Sequence, residues 1–273
     1  MTRERGTIAR RVRPPAVAGT FYPADPVVLG AEVDALLSEA RTPTAPGTPK
    51  ALVAPHAGYR YSGPIAASAY ATLRGTSEHV TRVVLLGPAH YVPVHGLAAS
   101  SSDAFATPLG EVPLDIDACA TACAMASVDV NDAAHAPEHS LEVHLPFLQR
   151  VLSSFSIVPF VVGRALPDAV ADVLDELWGG PETLIVVSSD LSHYHDHQTA
   201  TARDRRTADA IVAGRADELT TDAACGAYPV RGMLTAARRH GLAPALLDLR
   251  NSGDTAGPRD RVVGYGSFAL AAA

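Results

Sequence analysis

"LVAPHAGYRYSG", residues 52–63, ends an apolar run on a histidine and then turns on glycine. The run is short and does not alternate, the pattern of a strand covered on both faces. The arrangement returns in "RVVLLGPAHY", residues 82–91, where the apolar run meets Gly87, Pro88 and His90. A third copy is "TLIVVSSDLSHYHDH", residues 183–197, with His193 past its end. Ligands of open α/β sheets bind beyond the carboxyl ends of the strands. If these three strands are neighbours, His56, His90 and His193 converge there; taken singly, each could instead be a structural histidine bonding a loop carbonyl.

Working outward, helical patterns alternate with the strands. "DPVVLGAEVDALLSEA", residues 25–40, has helical periodicity with Asp25 as cap and Pro26 in the first turn. A helix is expected from Pro64 to Leu73, another over 115–127 and one over 168–178, with two more at 198–213 and 227–239. "TPLGEVPLD", 107–115, reads as a hairpin turn leading into a helix, and "RTPTAPGTPK", 41–50, as a connecting loop. "PEHSLEVHLPFLQRVL", 137–152, reads as a helix that Pro146 must kink or restart. "SIVPFVVG" and the glycine-interrupted "RVVGYGSFAL" read as further strands. The expectation is one α/β domain over residues 16–273, with a central mixed or mainly parallel sheet flanked by helices, preceded by a flexible basic tail over 1–15.

Composition narrows the function. The chain has 273 residues, 47% of them apolar, with 22 basic and 29 acidic residues and a net charge of −7. That balance gives no reason to expect nucleic acid or a membrane surface as partner. No apolar run is long enough to span a bilayer. The one basic stretch is Arg3, Arg5, Arg10, Arg11 and Arg13. Three cysteines, an odd number, argue against a disulfide framework and for a reducing cytoplasm. Cys119 and Cys123 share a helix face among alanines and read as small core residues. A dinucleotide-binding glycine motif after a strand, a Walker A sequence, an H-E-x-x-H pair and a G-x-S-x-G elbow are all lacking.

Convergent neutral imidazoles suit zinc, iron or copper. Two histidines and an anionic third ligand leave open positions for Lewis-acid or oxygen-activating chemistry. Cys225, before Gly226 and a helix start, is the natural third ligand, since a helix N-terminus favours thiolate. Asp190, Asp222 and Glu142 are oxygen alternatives. "HAPEHSLEVHLPF" adds His135, Glu138, His139, Glu142 and His144 beside apolar residues, polar groups placed to line a cleft. His195 and His197 are expected to face solvent or a loop.

"VAGTFYP", "APHAGYRYSG", "LLGPAHY", "TPLGEVPLD", "EHSLEVHLPFLQ", "VSSDLSHY" and "CGAYP", in that order, resemble the Memo family, whose bacterial members are often named AmmeMemoRadiSam system protein B. The motifs span nearly the whole chain. The resemblance implies a fold similar to class III extradiol dioxygenases of the LigB type, which are non-heme iron enzymes. It implies one metal ion, Fe(II), Cu or Zn, held by His56, His90 and Cys225. It also implies an acid/base role for His193. From the residues themselves, Tyr59, His139, Glu142, His144 and Asp190 are expected around the pocket, and Asp190, three residues before His193, either orients that ring or caps the next turn. Those dioxygenases use a glutamate where this chain has Cys225, and a thiolate favours Cu(I) or Zn over Fe(II). Implied partners are a small molecule or peptide in the cleft and radical-SAM and AMMECR-type proteins of a shared pathway. The readings left open are a dioxygenase-like oxidoreductase, a peptide- or protein-binding module, and a metal-binding redox protein without turnover.

Overall fold

The computed structural model describes residues 10–41, 47–75 and 78–272. Arg3 and Arg5, and residues 42–46 of the 41–50 loop, lie outside them. The strands are β1 (Val12–Arg13), β2 (Ala51–Ala54), β3 (Arg82–Pro88), β4 (Leu97–Ala99), β5 (Ala104–Thr107), β6 (Gly110–Pro113), β7 (Val128–Val130), β8 (Ser156–Val162), β9 (Thr183–Ser188), β10 (His193–His195), β11 (Leu242–Asn251) and β12 (Val262–Ala272). The helices are α1 (Pro26–Ser38), α2 (Tyr59–Tyr70), α3 (Ile116–Cys123), α4 (Asp132–His135), α5 (Leu145–Val151), α6 (Pro167–Glu176), α7 (His197–Val212) and α8 (Ala227–Arg239).

Among the described residues, nine strands form the main sheet in the order β10-β12-β2-β9-β3-β8-β4-β7, with β11 pairing β12. Its centre, β2-β9-β3-β8, is parallel. On either side β12 and β4 run antiparallel to β2 and β8, so the sheet is mixed. Every residue of β2 and β9 is buried, which is why their sequences are continuous apolar runs. Helices flank the sheet in two groups. α2 packs on β2, β11 and β12 with α1 and α5 beside it; α8 packs on β3 and β9 with α6 beside it. The expected single α/β domain with a mixed sheet is what the chain forms.

Neighbouring parallel strands β2, β9 and β3 end at the same edge of the sheet, so His56 and His90 leave it together, and the chain beyond β9 returns as β10 with His193 at its start. Local chemistry matches several expectations. The Asp25 side chain accepts from the backbone N–H groups of Val27 and Val28 and caps α1.

Three readings are corrected. α2 starts at Tyr59, not Pro64, and carries Pro64 inside it. Tyr59 N–H reaches back to the Phe21 carbonyl and its buried ring anchors the extra turn, which outweighs the one backbone bond Pro64 removes. Residues 137–141 are not helical; a 3-10 turn at Glu142–His144 leads into α5, with Pro146 in its first turn. Proline therefore restarts the helix. Finally, residues 10–15 are no tail. Val12 and Arg13 pair in parallel with β5 in a small second sheet, and Arg13 is buried.

Candidate metal centre

His56, His90 and His139 form, among the described residues, the one group of three His, Cys, Asp or Glu side chains placed to hold a metal ion, with ligand atoms all within 4.8 Å of one another. The ring centroids are 5.1 Å apart for His56–His90, 5.5 Å for His56–His139 and 4.7 Å for the stacked His90–His139 pair. β2 and β3 deliver the first two. The non-helical turn before Glu142 delivers His139, and it reaches the sheet edge because the next-to-last residue of β3 is Gly87. A Cβ on Gly87 would lie 2.6 Å from Ser140 Oγ; Ser140 Oγ instead donates to the Pro88 carbonyl at 2.9 Å.

Two of the three rings are set from behind. His90 Nδ1 donates to Glu138 Oε1 at 2.8 Å, and His90 N–H donates to Oε2 at 2.8 Å. The committed Nδ1 leaves Nε2 free for a ligand, the arrangement that orients metal-bound histidines. Burial raises the Glu138 carboxyl pKa, but hydrogen bonding to His90 and its charge win and hold it at about 2. His56 Nδ1 lies 2.6 Å from Ser188 Oγ, so Nε2, which faces Cys225 Sγ at 3.3 Å, is the nitrogen left for a ligand. Burial, then the neighbouring His90, holds His56 well below the usual histidine value, and burial holds His139 at about 4. His139 Nδ1 is buried with no hydrogen-bond partner; Glu138 Oε1, 3.4 Å away, is an ion-pair neighbour without hydrogen-bond geometry. Imidazoles that keep one ring nitrogen for a ligand suit a borderline metal ion.

The expected His/His/Cys set is therefore corrected to His56, His90 and His139. Cys225 lies beside His56, with Sγ 3.3 Å from Nε2, but is not a member of the mutually close group. Nor is its thiol activated. It precedes α8 as expected, yet burial, with Asp190 next to it, pushes its pKa up. Sγ accepts from the Asp190 N–H at 3.3 Å. All three cysteines are free.

The remaining expected residues separate. Glu142 is not in the pocket. It is fully buried and accepts from Arg13 Nη1, the Ala16 and Val17 N–H groups and the Tyr22 hydroxyl, at 2.6–2.9 Å. Tyr59 is a core residue whose hydroxyl donates to the Val143 carbonyl at 2.6 Å. Asp222 is exposed and pairs with Arg203. His144 lies behind Ser188, bonded to it and to Tyr70. Asp190 does not orient His193: its Oδ1 accepts from the His56 N–H at 2.8 Å, and burial raises its carboxyl pKa to about 6. His193 is held by its own chain, Nδ1 donating to the Leu191 carbonyl at 2.8 Å. His197 pairs with Asp254. Glu138 was recognisable only as one of several polar residues in a suspected cleft segment; nothing local singled it out as the partner of His90.

A cavity of about 400 Å³ opens beside the cluster, lined by His139, Asp190, His193, Tyr61, Tyr265 and Arg261 among others. Tyr194, at its rim, has a positive φ of 65°, rare for a non-glycine residue. The Arg261 guanidinium lies 4.4 Å from the Tyr194 ring centroid.

The family model described as Memo-like protein matches residues 13–269. The chain belongs to the Memo family. Memo-family relatives resemble it along their whole length. A MEMO1 family protein of Aquifex aeolicus is 37% identical, covering 93% of this chain and 97% of the relative. One from Sulfolobus acidocaldarius is 34% identical, covering 93% and 97%. One from Methanosarcina mazei is 36% identical, covering 94% and 98%. Among the described residues of this Memo-family chain, no helix is long and apolar enough to cross a membrane.

Proposed function

We propose that this protein binds one transition-metal ion through His56, His90 and His139 and acts on a small oxygen-donor molecule in the adjoining cavity. The mutual approach of three imidazole rings within 4.8 Å carries the reading. Zinc, copper and iron(II) all suit imidazole, and three histidines with an open fourth position make up one kind of catalytic zinc site. A metal there supplies Lewis acidity to a bound oxygen, and iron or copper would add dioxygenase-like oxidation.

The chain's own residues do the rest. Glu138 and Ser188 hold two of the rings in orientation. With Nδ1 donating to Leu191, His193 keeps Nε2 as a proton acceptor on a residue that lines the cavity. Tyr61 and Tyr265 offer apolar faces, and exposed Arg261 fits an anionic group on the ligand. The three free cysteines support a reducing cytoplasm as its compartment.

The test is elemental analysis of protein purified without a metal-affinity tag, compared across H56A, H90A, H139A, C225A and H193A. The three ligand variants lose the metal; C225A and H193A keep it. Retention in H139A with loss in C225A would overturn the three-histidine assignment. Oxygen-dependent turnover of catechol-like compounds, lost in H193A with the metal retained, would support the acid/base role.

A further inference from the structure

A buried chain of hydrogen bonds runs from His56 through Ser188 and His144 to Tyr70. Ser188 Oγ lies 2.6 Å from His56 Nδ1 and 2.8 Å from His144 Nε2. His144 Nδ1 lies 2.8 Å from the Tyr70 hydroxyl. All four residues are at most 2% exposed. At the other end of the ring, His56 Nε2 faces Cys225 Sγ at 3.3 Å.

A serine hydroxyl carries one proton. Between two ring nitrogens, it gives that proton to one and must receive a proton from the other. Both rings are fully buried, and in its neutral form each has a single N–H. The tautomers of His56 and His144 are therefore locked together.

Two arrangements satisfy Ser188. In the first, Ser188 donates to His56 Nδ1 and His56 Nε2–H donates to Cys225. His144 Nε2–H then donates to Ser188, and the Tyr70 hydroxyl donates to His144 Nδ1. Every proton in the chain has an acceptor. In the second, His56 Nδ1–H donates to Ser188, Ser188 donates to His144 Nε2, and His144 Nδ1–H donates to the Tyr70 oxygen. His56 Nε2 is then bare, and the Tyr70 proton has no acceptor among the described residues.

We infer that a metal at His56 switches this chain from the first arrangement to the second, making Ser188, His144 and Tyr70 positioning residues that set metal affinity through the His56 tautomer. The inference rests on the three-histidine reading. A metal needs the lone pair of Nε2, because Nδ1 is committed to Ser188. Both rings stay neutral throughout; only the nitrogen that holds the proton changes. Metal binding strands the buried Tyr70 proton, which weakens affinity.

Nitrogen-15 NMR of histidine-labelled protein, without and with zinc, reads the tautomers directly. Without metal, His56 and His144 should both be protonated on Nε2; zinc should move both protons to Nδ1. A metal-free His56 already protonated on Nδ1, or a His144 that does not follow, overturns the proposal. Ser188→Ala should uncouple the rings, so that zinc inverts His56 and leaves His144 unchanged; inversion of His144 in that variant is a negative result. Tyr70→Phe removes the proton that the metal-bound state strands, and with it the bias against that state. Zinc should then bind roughly tenfold tighter, whereas a structural role for Tyr70 predicts weaker binding. A parent protein that binds no zinc defeats the three-histidine reading, and the metal-free tautomers still decide the first half of this one.

Discussion

Glu138 gives one carboxylate to two functions: it accepts from both the backbone and the ring of His90. Outer hydrogen-bond partners of metal-bound histidines typically contribute 10–100-fold in affinity. Glu138→Gln should therefore lower zinc affinity by about that factor while leaving stoichiometry at one ion, as read by competition with a chromophoric chelator. Affinity unchanged within twofold would mean that His90 is oriented by packing alone. His90 was legible at this scale because a strand end announces where its ring must go. Glu138 was not, because its role depends on a neighbour 48 positions away in the chain.

At the scale of elements, the N-terminal segment straps the site from outside. Arg13, in β1, donates from Nε to the His135 carbonyl at 2.8 Å and from Nη2 to the Glu138 carbonyl at 2.5 Å. Its Nη1 pairs with Glu142 at 2.7 Å, with both side chains buried. Those bonds hold the turn that carries His139 in a non-helical form, and Phe21 packs on the His139 ring at 4.8 Å. Removing one partner of a buried ion pair costs about 3–5 kcal/mol. Arg13→Gln should lower stability by about that amount in denaturant unfolding and weaken metal binding with it. A loss below about 1 kcal/mol would show that the strap is incidental. The helical reading of 137–152 fell here: the pattern of apolar residues was compatible with a helix, but a distant arginine claimed the carbonyls.

Across the whole molecule, buried histidines set the response to acid. His135 and His139 are held at about 4 and His144 at about 3, chiefly by burial, and His56 is also held well below its usual value. A base whose pKa is lower in the folded state contributes stability that is present above its unfolded value near 6.5 and lost as pH falls through the folded value. Asp190, raised to about 6, acts oppositely: its contribution is present below about 4 and lost as pH rises through 6. Burial also raises the carboxyls of Asp204 and Glu32, which act in the same direction as Asp190, and four lowered histidines outnumber these three carboxyls. Stability of the metal-free protein should fall as pH drops from about 6.5 to 4, by about 1.4 kcal/mol per pH unit for each extra proton bound on unfolding. Urea midpoints at several pH values check this, and a flat profile over that range would contradict it.

By itself, the sequence determined the central parallel strands, the edge at which they end, and the presence of His56, His90 and His193 just beyond that edge. Continuous apolar runs can be buried only on both faces, and the residue after such a strand must emerge at its end. Only the tertiary structure decided the third member of the cluster. His139 and Cys225 both stand near the site, and residue chemistry favours the thiolate. Burial beside Asp190 keeps that sulfur protonated, while Arg13, Glu138 and the missing side chain of Gly87 bring an imidazole into its place. These effects act between segments far apart in the chain, where no local pattern records them.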